Sequence, residues 1–205
     1  MNIYQHIFKK SAEGKKQFAI LVDPDKENED SLETLCELAN QHKVDYLFVG
    51  GSLLTQDCLS DCIEVIKLHT QIPVVLFPGD NLQINSHADA ILFLSLISGR
   101  NPDLLIGKHV ISAPILKEAG LEIIPTGYML IDGGTPSSVS YMSNTTPIPA
   151  NKRDIAVCTA MAGEMLGLKL IFMDAGSGAI NPVSEAVVSA VKKSIDIPLI
   201  IGGGV

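Results

Sequence analysis

The fold class this sequence predicts is an α/β barrel of parallel strands, altered at its third crossover and cut short after a seventh strand. Three observations predict it. Seven short apolar runs alternate with amphipathic helical stretches, most of those runs are continuously apolar, and polar or glycine-rich residues follow almost every run. Continuous apolar runs belong to parallel strands covered on both faces. Turns with chemistry after nearly every strand fit a barrel, whereas a doubly wound sheet gathers them at one switch point. The first run also lacks a G-x-G-x-x-G turn, so no dinucleotide site is expected.

Taken in order, the first strand is read over residues 18–23 and ends in D-P-D-K. A helix over 31–42 opens with Ser31 as its cap and repeats Leu32, Leu35, Cys36, Leu38 and Ala39 at helical spacing. The second strand, 46–50, runs into G-G-S and a helix over 55–68; the third, 73–77, runs into F-P-G-D. Only about a dozen residues, 78–89, then precede the fourth strand at 90–94, too few for a helix and its turns. The third crossover helix is therefore expected to be missing or replaced by an extended segment. A helix over 103–118, a strand over 122–126, a helix over 154–167 and a strand over 170–174 follow. A helix over 182–194, with Pro182 in its first turn, leads to the last strand, 198–201, and G-G-G-V. Seven strands do not close an eight-stranded barrel, and such domains typically run to about 250 residues. Residues 1–205 are thus read as a single barrel domain whose eighth βα unit is absent from this sequence.

A chain of 205 residues, 46% apolar and 19% charged, suffices for one well-buried core. A formal net charge of −8 opposes nucleic-acid binding, which demands a basic face. Phosphorylated metabolites stay open, because backbone N–H groups and a metal can hold them. With no leader and no membrane-length apolar run, a cytoplasmic protein is expected. Cys36, Cys58, Cys62 and Cys158 show no C-x-x-C spacing and are read as small buried hydrophobes in a reducing compartment. His6, His42, His69, His87 and His109 avoid strand ends, so surface or capping roles are expected of them.

The chemistry is expected in the strand-end turns. D-A-G-S-G-A (174–179) and G-G-G (202–204) follow two successive strands, and glycine lets a backbone approach an anion closely. Late βα-loops are where barrel enzymes build phosphate sites. Asp23 ends the first strand and suits a hard cation shared with a substrate phosphate; Asp25 reads equally well as a turn residue. The Gly-, Ser-, Thr- and Pro-rich segment 131–151 is too long for a plain connection. A mobile lid and an ordered loop at an oligomer interface stand level as readings of it.

The motifs L-V-D-P-D-K (21–26), V-G-G-S (49–52), V-L-F-P-G (75–79), L-I-S-G-R-N-P (96–102), I-P-T-G-Y (124–128), M-D-A-G-S-G-A (173–179) and I-I-G-G-G-V (200–205) cover nearly the whole chain in order. Together they resemble the geranylgeranylglyceryl phosphate synthase family, which includes bacterial heptaprenylglyceryl phosphate synthases. That resemblance implies a barrel altered at the third crossover and a Mg²⁺-dependent prenyltransferase acting in phospholipid biosynthesis. It would join a polyprenyl diphosphate, with geranylgeranyl the expected tail, to sn-glycerol 1-phosphate, the ether-lipid product passing to a membrane. It also implies a homo-oligomer, dimer or hexamer.

By motif position, Asp23 and Ser52 resemble the metal ligands. Phe172, Met173, Asp174, Ala175, Gly176, Ser177 and Gly178, with Gly203 and Gly204, resemble the glycerol-phosphate site. Asp174 falls where the family usually carries a Glu that takes the proton of the attacking hydroxyl, and Tyr128 is a candidate for holding substrate. Where many members read Y-L-E-A-G-S-G-A, this chain has Phe172, Met173 and Asp174, losing one hydroxyl and one methylene. A steric floor for the prenyl tail is sought after the third and fourth strands, including 97–106, where ordinary core and surface packing is an equal reading. Two rivals remain: a prenyl- or phosphate-binding barrel without catalysis, and a sugar-phosphate isomerase or aldolase. The aldolase lacks its strand-end lysine, Lys26 being the nearest.

Overall fold

In the computed structural model, residues 2–204 are described. Seven strands follow one another in chain order in one sheet: β1 (Ala19–Val22), β2 (Tyr46–Val49), β3 (Val74–Leu76), β4 (Ala90–Leu96), β5 (Glu122–Leu130), β6 (Leu170–Asp174) and β7 (Leu199–Gly202). The helices are α1 (Ile3–Ala12), α2 (Glu29–Gln41), α3 (Leu59–His69), α4 (Lys108–Ala119), α5 (Ser138–Ser143), α6 (Arg153–Met165) and α7 (Glu185–Lys192). The recorded ladders are parallel, as the continuous apolar runs require. This is the predicted barrel order through its seventh strand, and segment 77–89 holds turns instead of a third crossover helix. Val205, which closes the last motif, lies outside the described residues.

The residues fall into two compact units. The first comprises Met1–Leu92 with Ser112–Ile123 and the second Phe93–Ile111 with Ile124–Val205. In the first, β1 pairs with β2 from Ala19↔Tyr46 to Val22↔Val49, and β2 pairs with β3 over Leu47–Val49. Leu47, Ile63, Ile66 and Leu76 are fully buried there. The Glu122 carboxylate accepts from the N–H groups of Ile3 and Tyr4, satisfying donors that the first turn of α1 leaves free. In the second unit, β5 pairs with β6 from Thr126↔Leu170 to Leu130↔Asp174, and β6 with β7 up to Asp174↔Gly202. Met129, Ile171, Met173, Val187 and Val191 form the core between these strands and α6 and α7. No helix among the described residues is long and apolar enough to cross a membrane.

Several expected boundaries move, each for a local reason. The cap of α2 is Asn28, not Ser31; Ser31 sits three residues in and returns the bond as the other half of a capping box. Helix α3 starts at Leu59 instead of residue 55, and the Asp25 carboxylate takes the N–H groups of Thr55 and Gln56 in the segment ahead of it. Pro182 lies ahead of α7, whose cap is Ser184. Strand β5 runs past Thr126 to Leu130. Gly127 stays inside it, since a Cβ there would lie 2.8 Å from Ile97 Cδ1 and 2.9 Å from Ile171 Cδ1. The expected helix over 103–118 begins as a π turn, Asp103–Gly107, before α4. Helices α1 and α5 lie outside the helical stretches read from the sequence.

Candidate active site

In the first unit, Asp23 directly follows β1. Its Oδ1 accepts from the Asp25 N–H at 3.3 Å, and its Oδ2 pairs with Lys26 Nζ at 2.7 Å. Gly50 N–H donates to Val22 O, so the turn after β2 is drawn to the end of β1. A Cβ on Gly51 would lie 3.5 Å from Asp23 Oδ1, which places the G-G-S turn beside the carboxylate. Ser52, next in that turn, is half-buried, and its hydroxyl makes no hydrogen bond among the described residues. One carboxylate beside a turn carrying one hydroxyl is a hard-oxygen donor set. It fits Mg²⁺, which takes the rest of its shell from water and substrate phosphate. Among the described residues no three His, Cys, Asp or Glu lie close enough to hold a metal by themselves. Contact with Asp23 raises the Lys26 pKa, and Lys26 holds one of the oxygens a cation would take.

Asp25 resolves as an anchor. It accepts from Thr55 N–H at 2.6 Å, Thr55 Oγ1 at 2.8 Å and Gln56 N–H at 3.3 Å, with Cys58 Sγ at 3.5 Å. The bond from the Thr55 backbone holds its carboxyl below the usual range.

In the second unit the site is built mostly of backbone. Tyr128 and Phe172 are register partners, as are Leu130 and Asp174, so Tyr128, Phe172 and Asp174 share one face of the sheet. The Tyr128 hydroxyl donates to Asp174 Oδ2, and Gly176 N–H donates to Asp174 Oδ1 at 2.7 Å. Burial, then the neighbouring Asp174 charge, pushes the Tyr128 phenol well above its ordinary pKa, so it stays a proton donor. Tyr128 is 5% exposed, which makes it a holder of Asp174 and leaves it little surface for substrate.

Gly176 (φ +92°) and Gly203 (φ +77°) adopt left-handed backbone that side chains resist. A Cβ on Gly203 would lie 2.5 Å from both Asp174 Oδ1 and Gly176 N, so only glycine admits this approach. The N–H groups of Ser177, Gly178, Gly203 and Gly204 reach no acceptor among the described residues. Open amides on glycine turns beside a carboxylate suit a phosphorylated ligand that gives up a proton.

Not every expected site residue offers its side chain. Met173 faces the opposite side of β6 and its side chain is fully buried in the core, which leaves only its backbone to the site. The Phe172 ring stacks obliquely on Tyr128 at 5.8 Å, and a Cβ on Gly202 would lie 2.8 Å from it. Segment 131–151 packs on the turn that follows β6. Gly133 O accepts from Ile180 and Asn181 N–H at 3.0 Å each, and Ile131 bridges Ile148. Ser137, the buried cap of α5, lies where a Cβ on Gly176 would approach its own Cβ to 2.6 Å. Sequence reasoning missed Ser137, although its S-x-x-S capping pattern was a usable signal.

Two other expectations need correction. His109 is buried, with Ser95 Oγ 3.1 Å from its Nε2 and the Phe93 ring edge-on at 4.5 Å, because the π turn rotates it inward. Cys158 is exposed on α6, while Cys36 and Cys62 are buried as expected.

Parallel strands in barrel order, with hard-oxygen side chains at the early strand ends and open amides at the late ones, define an enzyme of the phosphate-binding α/β-barrel class. The PcrB family matches residues 11–205, and the chain belongs to that family. It is 55% identical over 203 residues to the geranylgeranylglyceryl phosphate synthase of Chitinophaga pinensis, covering 99% of this chain and 81% of that one. Against the Pyrococcus furiosus enzyme of the same name it is 38% identical over 194 residues, covering 94% and 76%. The crystal structure of (S)-3-O-geranylgeranylglyceryl phosphate synthase from Thermoplasma acidophilum, in complex with sn-glycerol-1-phosphate, superposes with a TM-score of 0.94 at 32% identity. It covers all of this chain and 82% of that one. Tryptophan synthase subunit alpha from Legionella pneumophila, 14% identical with a TM-score of 0.51, shares the fold alone.

Proposed function

We propose that this protein is a prenyltransferase that joins a polyprenyl diphosphate to sn-glycerol 1-phosphate, forming an ether-linked prenylglyceryl phosphate. The observation that carries the reading is Asp174, fixed between the Tyr128 hydroxyl and the Gly176 N–H at the edge of the open glycine turns. The glycerol phosphate is held through its phosphate by the amides of Ser177, Gly178, Gly203 and Gly204, which leaves its far hydroxyl for the reaction. That oxygen bonds to the first carbon of the prenyl chain and its proton passes to Asp174. The carbon–oxygen bond to diphosphate breaks, and the diphosphate leaves with the electron pair. Orientation of this kind supplies several kcal/mol of a bimolecular barrier.

Asp23 and Ser52 are the residues that would hold Mg²⁺. The ion, when bound, supplies positive charge against the leaving diphosphate. Geranylgeranyl diphosphate is the proposed donor, after the names of the relatives, and a homo-oligomer belongs to the same proposal. Each buried five-carbon unit contributes up to ~4 kcal/mol before ordering costs, so affinity alone rewards longer tails and a steric floor must set the length.

The experiment incubates the full chain with Mg²⁺, prenyl diphosphates of graded length and either glycerol 1-phosphate or glycerol 3-phosphate, with ether product read by mass spectrometry. Product from the 1-phosphate alone, lost in Asp23→Asn, supports the proposal and gives the chain length. Bound glycerol phosphate without product from any tail would move the non-catalytic binding reading to the front.

A further inference from the structure

The segment that replaces the third crossover helix carries one buried polar side chain that the proposed reaction does not use. Gln83 is 4% exposed, yet it lies in a run of turns between β3 and β4. Its Nε2 donates to Gly51 O at 2.9 Å, and its Oε1 accepts from Gly51 N–H at 3.3 Å and Gly79 N–H at 3.2 Å. One amide therefore closes both backbone groups of Gly51 and ties the G-G-S turn to the P-G turn.

The surrounding backbone is packed to suit. A Cβ on Gly50 would lie 2.2 Å from Phe77 O and 3.1 Å from Gln83 Oε1; one on Gly79 would lie 2.3 Å from Gly51 O and 2.7 Å from Ser52 Cα. Two glycine turns meet with no side chain between them, and Gln83 is the polar group that sets their register. The segment that stands in for the helix brings this side chain to the turn.

We infer that Gln83 is a positioning residue: it fixes the Gly50–Gly51–Ser52 turn so that the Ser52 hydroxyl is presented beside the Asp23 carboxylate. This rests on the assignment of Asp23 and Ser52 as the Mg²⁺-holding pair. A buried amide satisfied on both its oxygen and its nitrogen holds a turn in one geometry, whereas a half-satisfied one is costly. Supporting residues of this kind typically change metal affinity or activity by about 10- to 100-fold when removed.

The test compares wild type with Gln83→Met, which keeps the shape and loses every hydrogen bond, and with Gln83→Glu, which keeps the acceptor and loses the donor. The expected result for Gln83→Met is an Mg²⁺ half-saturation and a prenyl diphosphate KM each raised about tenfold, with the glycerol 1-phosphate KM within about twofold. Gln83→Glu falls between the two. Independently of turnover, Mn²⁺ binding followed by electron paramagnetic resonance weakens, and hydrogen exchange at the Gly51 and Gly79 amides accelerates. Equal losses toward both substrates, or wild-type Mn²⁺ binding with fast exchange at those amides, would overturn the inference. If Gln83→Met does not fold, Gln83→Glu decides by the same readouts. Should wild type form no ether product, the prenyltransferase reading fails, while Mn²⁺ binding and amide exchange still judge Gln83.

Discussion

The strand ends of the two units are built from different materials. In the first, side-chain oxygens do the work: Asp23 and Ser52, with Asp25 pinning the segment before α3 and Gln83 pinning the turn after β2. In the second, the backbone does it: left-handed glycines open amides, and the acidic Asp174 is itself held by a glycine N–H and a buried phenol. A cation asks for negative oxygens, which only side chains supply as full charges. A phosphate asks for N–H donors, which a glycine turn supplies without side-chain entropy. The contrast predicts opposite sensitivities. Beside Asp23 the site should fail by exchange of functional groups and tolerate a methyl group at Gly51, whereas beside Asp174 a single methyl group added at Gly203 should also be enough.

The largest effect expected is that of Asp174→Ala. Loss of the proton acceptor should lower kcat by about 10²- to 10⁴-fold, while calorimetry still finds glycerol 1-phosphate bound. Gly203→Ala comes next. Its new Cβ meets Asp174 Oδ1 and Gly176 N, and the displacement should lower kcat/KM by about 100-fold, with weaker glycerol 1-phosphate binding. In the first unit the corresponding change, Gly51→Ala, meets nothing closer than 3.5 Å and should keep most activity. Equal damage from the two alanines would break the comparison. Tyr128→Phe removes the hydroxyl that orients Asp174; if that orientation is worth about 1.4 kcal/mol, kcat falls about tenfold, with the prenyl diphosphate KM unchanged.

The smallest effect concerns His109, whose pKa is lowered by burial. A group held neutral in the fold but free to charge when unfolded contributes stability above its unfolded pKa of about 6.5. That stability is lost as pH falls further. Melting temperature should therefore drop by a few degrees between pH 6.5 and about pH 5 in wild type, and less in His109→Leu. A parallel decline in both would show His109 exposed to protons in the folded state.

The same contrast explains what could be read in advance. Glycine turns announce themselves because glycine at a strand end has few other reasons to recur, so Gly176, Gly178, Gly203 and Gly204 were legible with the strands they follow. Asp23 was legible by its place at a strand end. The missing crossover helix was legible from spacing alone. Gln83 was not: a polar residue in a helix-free segment reads as solvated loop until the segment is seen to fold its amide beneath a neighbouring turn. The inward turn of His109 was hidden likewise, because a π turn shifts the face on which every following residue of the helix lies. The direction of the Met173 side chain was not legible from the motif alone: alternation along β6 sends it into the core, away from the face of Phe172 and Asp174.

The most direct measurement titrates two ligands against two variants by calorimetry. Glycerol 1-phosphate and a geranylgeranyl diphosphate analogue with Mg²⁺ would each be bound to wild type, Asp23→Asn and Gly203→Ala. A crossed result is expected: Asp23→Asn weakens the diphosphate and spares glycerol 1-phosphate, while Gly203→Ala does the reverse. Glycerol 1-phosphate affinity that falls with Asp23→Asn and survives Gly203→Ala would contradict it.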